Sequence, residues 1–383
     1  MERFILNETS YFGRGCREVL PEVIREREFK KIFVVTDNGM IESKTINKVT
    51  DILDKEGIEY KIYSNVQPNP TINNVLVGVA VAREYETDCI LAVGGGSAMD
   101  TAKGISIILE NPDKADVVSL SGLSNTKKHG TPLICLPSTH GTASEVTINY
   151  VITDPNRKIK MVCVDPHDLP IVAIVDSELM ETMPKSLAAS TGMDALTHAI
   201  EGYIAKGHTV MSRMMSLKAI EIIFENLTKA VNDKDEKAIE NMALGQYIAG
   251  MAFSNCGLGI VHSMAHQLGA VYNTPHGLAN AILLPTVMRF NGEVCANDFR
   301  EILIHIGRPD AKDLNDQDVI NTFIWMIQEL SKSVGITQTV KDTGCKEEDL
   351  EMLADKAMED PCKPGNPREV TKEDFIELYR QAM

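Results

Sequence analysis

The hydrophobic pattern changes period once along the chain, at Met183-Pro184, and that change dictates two halves built differently. Before it, short apolar runs alternate with amphipathic stretches. RFILN (residues 3–7) predicts a first strand, and CREVLPEVIRERE a helix with Leu20, Val23 and Ile24 on one face. KKIFVVTD, IEYKIYS, DCILAVGGG, TPLICLP and PIVAIVD predict further strands, separated by the helical stretches MIESKTINKVTDILDKEG, TINNVLVGVAVAREYE and SAMDTAKGISIILE. Strands alternating with helices of this length need right-handed crossovers and a parallel sheet covered on both faces. NYVITD and KIKMVCVD flank PNRK, which predicts an antiparallel hairpin added to that sheet, and residues 120–128 read as a polar loop. After Pro184 the strand pattern disappears. Helices are predicted over 186–205, 212–230, 235–253, 262–270, 278–290, 316–333, 346–358 and 371–383. A chain of 383 residues exceeds the size at which one core keeps growing, so the expectation is an α/β domain over 1–184 and an all-helical domain over 185–383.

Charge narrows the class of partner. A net charge of −16 with no basic footprint argues against nucleic acid, which needs clustered cations to meet its phosphates. No apolar run has the length of a membrane span, and MERFILNETSYF lacks the features of an export signal, so a cytoplasmic location is expected. The eight cysteines are scattered without close pairs. They read as reduced, mostly buried thiols.

Between Gly257 and Pro285 lie His262, His266 and His276, three of the nine histidines, in a strongly apolar segment. A buried imidazole needs a partner, and three in one such segment favour a metal over three separate backbone hydrogen bonds. A second cluster from Ser190 to Ala205 carries Asp194 and His198 four residues apart, on one helix face. HSMAH has the two-histidine spacing of a zinc protease, but Ser263 stands where that chemistry needs a glutamate. One carboxylate with imidazoles and no thiolate suits iron or zinc, and such a metal with an open position polarises a carbonyl or lowers an alcohol's pKa.

AVGGGSAMDTAKG ends a strand and opens a helix, the setting in which backbone N–H groups bind a phosphate. It departs from G-x-G-x-x-G because Met99 stands at the third glycine. Asp37, closing KIFVVTD, is placed either to accept hydrogen bonds from a ribose or simply to cap the next helix. Ser138, Thr139, Thr142 and Thr147 in STHGTASEVT could bind phosphate or ribose, or form an ordinary turn.

Taken together, GGGSAMD, PSTHGTASEVT, GMDALTHAIEGY, GIVHSMAHQLGAVYNTPHG and GNPRE resemble the iron-dependent (group III) alcohol dehydrogenases over essentially the whole chain, nearest to their lactaldehyde-reducing branch. The resemblance implies an N-terminal dinucleotide-binding domain with a parallel sheet, an all-α metal-binding domain, and a metal in the cleft between them. It implies Asp194, His198, His262 and His276 as metal ligands and His266 as the catalytic pocket histidine. On the cofactor side it implies Asp37 at the adenosine ribose, Gly95, Gly96 and Ser97 at the pyrophosphate, and Thr139, Thr142 and Lys160 nearby, with Gly15, Asn69 and Leu179 as further contacts. Asn149, Val162, Phe253 and Leu258 would wall a small substrate pocket. His140 and Ser144 depart from the alanines of that branch. The implied activity is NAD-dependent interconversion of a short aldehyde and its alcohol on Fe2+, with Zn2+ as the alternative metal, in a homodimer or larger. Lactaldehyde and 1,2-propanediol come first, with 1,3-propanediol, ethanol or butanol as alternatives. A non-catalytic metal and nucleotide binding module is the rival from another class.

Overall fold

The structure, a computed structural model, describes residues 3–383 and divides into two compact units, one ending at Met183 and the other running from Pro184 to Met383. In the first, six parallel strands lie in the order β1-β9-β6-β4-β2-β3, with β1 Thr9–Phe12, β2 Ile32–Val35, β3 Tyr60–Tyr63, β4 Cys89–Gly94, β6 Leu133–Pro137 and β9 Val172–Val175. The central strands are apolar at every position because both faces are covered. Ile32, Val34, Leu91 and Val93 point to one face, where they join Leu20 and Ile24 of helix α1 (Leu20–Glu26) and Val49 and Leu53 of α3 (Asn47–Lys55). Phe33, Val35, Ile90 and Ala92 point to the other. There they meet Val75 and Val79 of α4 (Ile72–Tyr85) and Ile105 of α5 (Gly96–Glu110).

Local chemistry sets several boundaries. Asp37 caps α2 (Asn38–Glu42), accepting from the Met40 N–H at 3.1 Å. Thr71 and Asn74 form a reciprocal capping box at the start of α4. The stretch predicted as one helix from Met40 to Gly57 is instead broken between α2 and α3, where Lys44 takes a left-handed φ of 58°. RFILN is not a strand. The edge strand falls later, at Thr9–Phe12, where it pairs in register with Val172–Val175.

The hairpin forms, from β7 (Asn149–Asp154) and β8 (Ile159–Val164), but it does not join the main sheet. With β5 (Gly122–Leu123), inside the stretch predicted as loop, it makes a separate three-stranded sheet. Alternation explains the placement: Tyr150 and Ile152 on β7 and Met161 and Cys163 on β8 give one apolar face, which is buried in the same core as α4 and α5.

Lys103 of α5 is wholly buried beside this small sheet, its ammonium donating to the carbonyls of Thr147 and Asn149 and standing 3.6 Å from Asp168 Oδ1. Asp168 is equally buried and neither of its carboxylate oxygens has a hydrogen-bond donor, so burial pushes its pKa up to about 8; burial likewise raises Asp100 to about 6. A carboxyl whose folded pKa is raised stabilises the fold fully below its unfolded pKa and loses that contribution as pH climbs through the folded value. Asp168→Asn is therefore expected to gain stability over the wild type between pH 5 and pH 8, read as urea midpoints at the two values. An identical difference at both would show that Asp168 is ionised throughout.

The second unit is helical among the described residues: α6 (Lys185–Ile204), α7 (Val210–Asn232), α8 (Glu236–Cys256), α9 (Ile260–Tyr272), α10 (His276–His305), α11 (Asp316–Ser333), α12 (Leu350–Met358) and α13 (Lys372–Gln381). Every residue of α6 from Ala188 to Ile204 is buried, which makes it the central helix and places its polar side chains where each must find a partner. α10 runs well past the predicted Phe290. Asn291 and Gly292 look like a stop signal, but Gly292 packs against Ile320 of α11 and the helix continues. No single helix among the described residues is long and apolar enough to cross a membrane.

Candidate functional site

Helix periodicity assembles the metal-type cluster. Asp194 and His198 lie one turn apart on α6, His262 and His266 one turn apart on α9, and His276 is the first residue of α10. One potential ligand atom from each of Asp194, His198, His262 and His276 lies within 4.8 Å of the others. The close approach of α10 to α6 depends on Gly277, where a Cβ would stand 2.3 Å from the Ser190 carbonyl and 3.2 Å from Asp194 Cβ. One carboxylate and three imidazoles form a donor set suited to a borderline divalent cation, with room for a further ligand.

Three side chains that the sequence reading missed orient this set and the neighbouring His266. Glu201, one turn beyond His198, is buried and holds His262 Nδ1 at 2.6 Å through one oxygen and the Val261 N–H at 2.7 Å through the other. Burial opposes a charged His262, yet the surrounding carboxylates, Glu201 first and then Asp194 and Asp360, together hold that imidazole's pKa above its ordinary value. This carboxylate–histidine contact fixes the tautomer and leaves Nε2 unprotonated, turned to the cluster as a potential ligand atom. Asp360, in the loop after α12, accepts from His266 Nδ1 at 2.8 Å. Asn280, one turn into α10, donates to Asp194 Oδ1 at 2.6 Å. Spacing could have flagged Glu201 and Asn280, each on the face of a helix that already carries candidate ligands. Nothing local flags Asp360, which is 94 residues from its partner.

His266 stacks on His276, ring centroids 5.4 Å apart and planes 14° apart, with Asp360 fixing its Nδ1. His266, Asp360 and Cys362 also bring donor atoms within 4.8 Å of one another. Within this trio His266 Nδ1 donates to Asp360 at 2.8 Å, and burial pushes the Cys362 thiol well up. The GNPRE segment braces the arrangement: Asn366 and Asn291 exchange two amide hydrogen bonds of 2.9 Å, and Asn366 also accepts from the Ile260 N–H at the start of α9.

Of the pocket residues, Phe253 stacks on His198 with centroids 4.3 Å apart, and Leu258 is buried. Asn149 and Val162 belong to the β7–β8 hairpin of the other unit, where the Asn149 carbonyl accepts from Lys103.

The cofactor-type residues gather at the carboxyl ends of three adjacent parallel strands, β2, β4 and β6. Between β2 and β4 the strand order reverses, and ligands of open α/β sheets bind at such a point. Asp37 follows β2, with Oδ2 only 3.2 Å from where a Gly94 Cβ would stand. Its glycines lie on the neighbouring strand in space but a later one in sequence, which explains why the acid precedes them. Gly95 and Gly96 open α5, and a Cβ at either would press on Thr139 or Thr142, at 3.1 and 2.7 Å. These contacts bring the loop after β6 onto the helix N-terminus. Ser97 is half-buried beside it, and the Ser138 N–H donates to the Gly94 carbonyl at 2.9 Å.

Other predicted cofactor residues are placed less directly. Thr147 is turned inward, its hydroxyl engaged by Lys103 at 3.2 Å. Lys160 lies on β8 opposite Thr153. Gly15, with φ 77°, donates its N–H to Asp176 Oδ1, Asn69 has φ 55°, and Leu179 is buried. Ser144 donates to Asp100 at 2.8 Å; His140 is wholly buried, neutral because burial pushes its pKa down to about 4, and neither ring nitrogen has a protein partner.

Comparison with known proteins finds relatives over the whole chain. Residues 7–177 match the family model of iron-containing alcohol dehydrogenase, and residues 188–383 match that of the Fe-containing alcohol dehydrogenase family, C-terminal. Lactaldehyde reductase of Escherichia coli (strain K12) is 49% identical over 381 residues, covering 99% of both chains. NADPH-dependent butanol dehydrogenase of Clostridium saccharobutylicum is 39% identical over 99% of this chain and 97% of its own. A crystal structure of 1,3-propanediol oxidoreductase superposes with a TM-score of 0.96 at 38% identity, covering all of both chains.

Proposed function

The chain belongs to the iron-containing alcohol dehydrogenase family, and from that premise we propose that it interconverts lactaldehyde and 1,2-propanediol, with NAD as the cofactor. It is an iron-dependent oxidoreductase of the aldehyde–alcohol class. The observation that carries the reading is the convergence of Asp194, His198, His262 and His276 within 4.8 Å. Iron bound there would supply carbonyl polarisation, and the nicotinamide supplies the hydride.

The chain's own residues do the remainder. The N–H groups at Gly95 and Gly96 bind the pyrophosphate, and Asp37 accepts from the adenosine ribose. Phe253 and Leu258 keep the pocket short and apolar, which excludes water and bulky alcohols. His266, with Nδ1 pinned by Asp360, presents Nε2 to relay the proton that the alcohol oxygen gains in reduction. NAD rather than NADP is read from Asp37, since the fold serves an NADPH-dependent relative as well. A chain of this composition working on small diffusible aldehydes fits a cytoplasmic, oligomeric enzyme.

The experiment is NADH oxidation followed at the nicotinamide absorbance band with lactaldehyde, propanal and 3-hydroxypropanal, on iron-loaded and chelated protein. Turnover of lactaldehyde with the highest kcat/KM, lost on chelation, is expected. A preference for 3-hydroxypropanal would move the assignment to 1,3-propanediol. Silence with every aldehyde under both iron and zinc would favour a binding module.

His266→Ala separates relay from ligation. It is expected to retain iron at wild-type stoichiometry while kcat falls about 10²- to 10⁴-fold, the usual worth of a positioned acid–base group. An iron-free variant would instead make His266 a ligand.

A further inference from the structure

The side-chain nitrogen of Asn280 stands among the ligand atoms themselves. Nδ2 is 2.6 Å from Asp194 Oδ1, 3.1 Å from His262 Nε2 and 3.2 Å from His276 Nε2. The residue is wholly buried, and its Oδ1 has no hydrogen-bond partner. Tutored by its surroundings, the amide can face only one way. Glu201 holds the proton of His262 on Nδ1, so Nε2 is an acceptor; Asp194 is an acceptor too; the group between them must be the NH₂ end. A buried carbonyl oxygen left unsatisfied is a standing cost, and a smaller apolar residue would avoid it. That cost is borne at a position whose only polar contacts among the described residues are to three of the four ligand residues.

We propose that Asn280 is the positioning residue of the metal centre: its amide, hydrogen-bonded to Asp194 and lying against His262 and His276 Nε2, sets the spacing of these three side chains. Two N–H hydrogens cannot satisfy three acceptors, so the amide can hold the cluster's spacing without saturating its donor atoms. Glu201 fixes one imidazole from behind; Asn280 fixes the mutual spacing of ligands drawn from α6, α9 and α10 and reduces the reorganisation that binding requires. The helix geometry supports this, since Asn280 follows His276 by one turn and projects from the same face.

This rests on the assignment of Asp194, His198, His262 and His276 as ligands, and the test separates the two claims. Metal-free wild type, Asn280→Ala and His262→Ala are titrated with Co²⁺ in competition with a chromophoric chelator, the visible cobalt spectrum reporting coordination and thermal melting of the metal-free proteins reporting the fold. Asn280→Ala is expected to bind one Co²⁺ about 10- to 100-fold more weakly than wild type, the usual effect of losing an outer contact to a ligand, with an altered cobalt spectrum. Asn280→Ser removes the N–H pair without leaving an apolar hole and carries the same expectation should the alanine variant not fold. Affinity within twofold of wild type with an unchanged spectrum overturns the proposal, as does a lowered melting temperature with affinity retained. Co²⁺ binding by wild type that survives His262→Ala overturns the ligand assignment and the role of Asn280 with it.

Discussion

Replacing His262 with alanine is expected to yield protein without stoichiometric iron and with aldehyde reduction lowered at least about 10³-fold, since carbonyl polarisation by a metal contributes several kcal/mol of barrier reduction. His276→Ala is expected to do the same, because a catalytic site that already leaves a position open has no spare ligand. The two variants should differ in stability. His262 is the partner of the buried Glu201 carboxylate, which would keep only the Val261 N–H after the substitution, whereas His276 is partly exposed at a helix start. A carboxylate deprived of its buried partner destabilises by about 3–5 kcal/mol when nothing replaces it. Metal-free His262→Ala should therefore melt well below metal-free His276→Ala, and Glu201→Gln in the same background should recover part of the loss. Iron content by elemental analysis and melting temperatures check both statements. Full iron in either variant removes that residue from the ligand set, and equal melting temperatures would mean that Glu201 finds another donor.

That comparison turns on Glu201, which its spacing from His198 could flag but which no motif marks as buried, and the reason is general to this fold. The candidate site residues are legible because Asp194 and His198 on one helix, and His262 and His266 on another, recur at one-turn spacing in apolar surroundings, where a polar residue is conspicuous. Glu201 is equally apolar in its setting, but a glutamate on a long helix is ordinarily a solvated one, and only the burial of α6 on every side shows otherwise. Asp360 reaches His266 through tertiary packing of the loop after α12, and no periodicity encodes that. The same divide runs through the fold. Strands β2, β4, β6 and β9 were readable as apolar runs because the sheet is covered on both faces. The placement of the β7–β8 hairpin was not, because its alternating pattern says only that one side is buried and not which surface buries it. RFILN, apolar but outside any ladder, shows the converse: Thr9–Phe12 forms the edge strand through backbone pairing with β9. Helix α10 outran its apparent stop because packing on α11 overrides the local preference of Gly292.

Asp37→Asn is expected to collapse the preference for NADH over NADPH, and the choice of asparagine follows from the structure. Oδ1 caps α2 through the Met40 N–H, while Oδ2 lies against Gly94 at the head of the glycine turn. Asp37→Gly would remove cap and charge together; asparagine caps as well as aspartate, so the variant changes the charge alone. A 2′-phosphate at contact distance from the Asp37 carboxylate meets a repulsion of about 4 kcal/mol at intermediate dielectric, close to a thousandfold in affinity. Asp37 is half-exposed, so solvent screening reduces this, and a wild-type preference for NADH of about 10- to 1000-fold in kcat/KM is expected. In Asp37→Asn, kcat/KM for NADPH should rise by most of that factor. NADH should lose little, because the amide oxygen still accepts from a ribose hydroxyl. Melting temperature should stay within a degree or two of wild type if the cap is preserved. The informative comparison is the ratio of kcat/KM values with both cofactors, measured at low and at moderate salt, since a repulsion between two anions shrinks as ionic strength rises. A wild type that uses NADPH as well as NADH, or a ratio unmoved by the substitution, would leave Asp37 as the cap of α2 and nothing more.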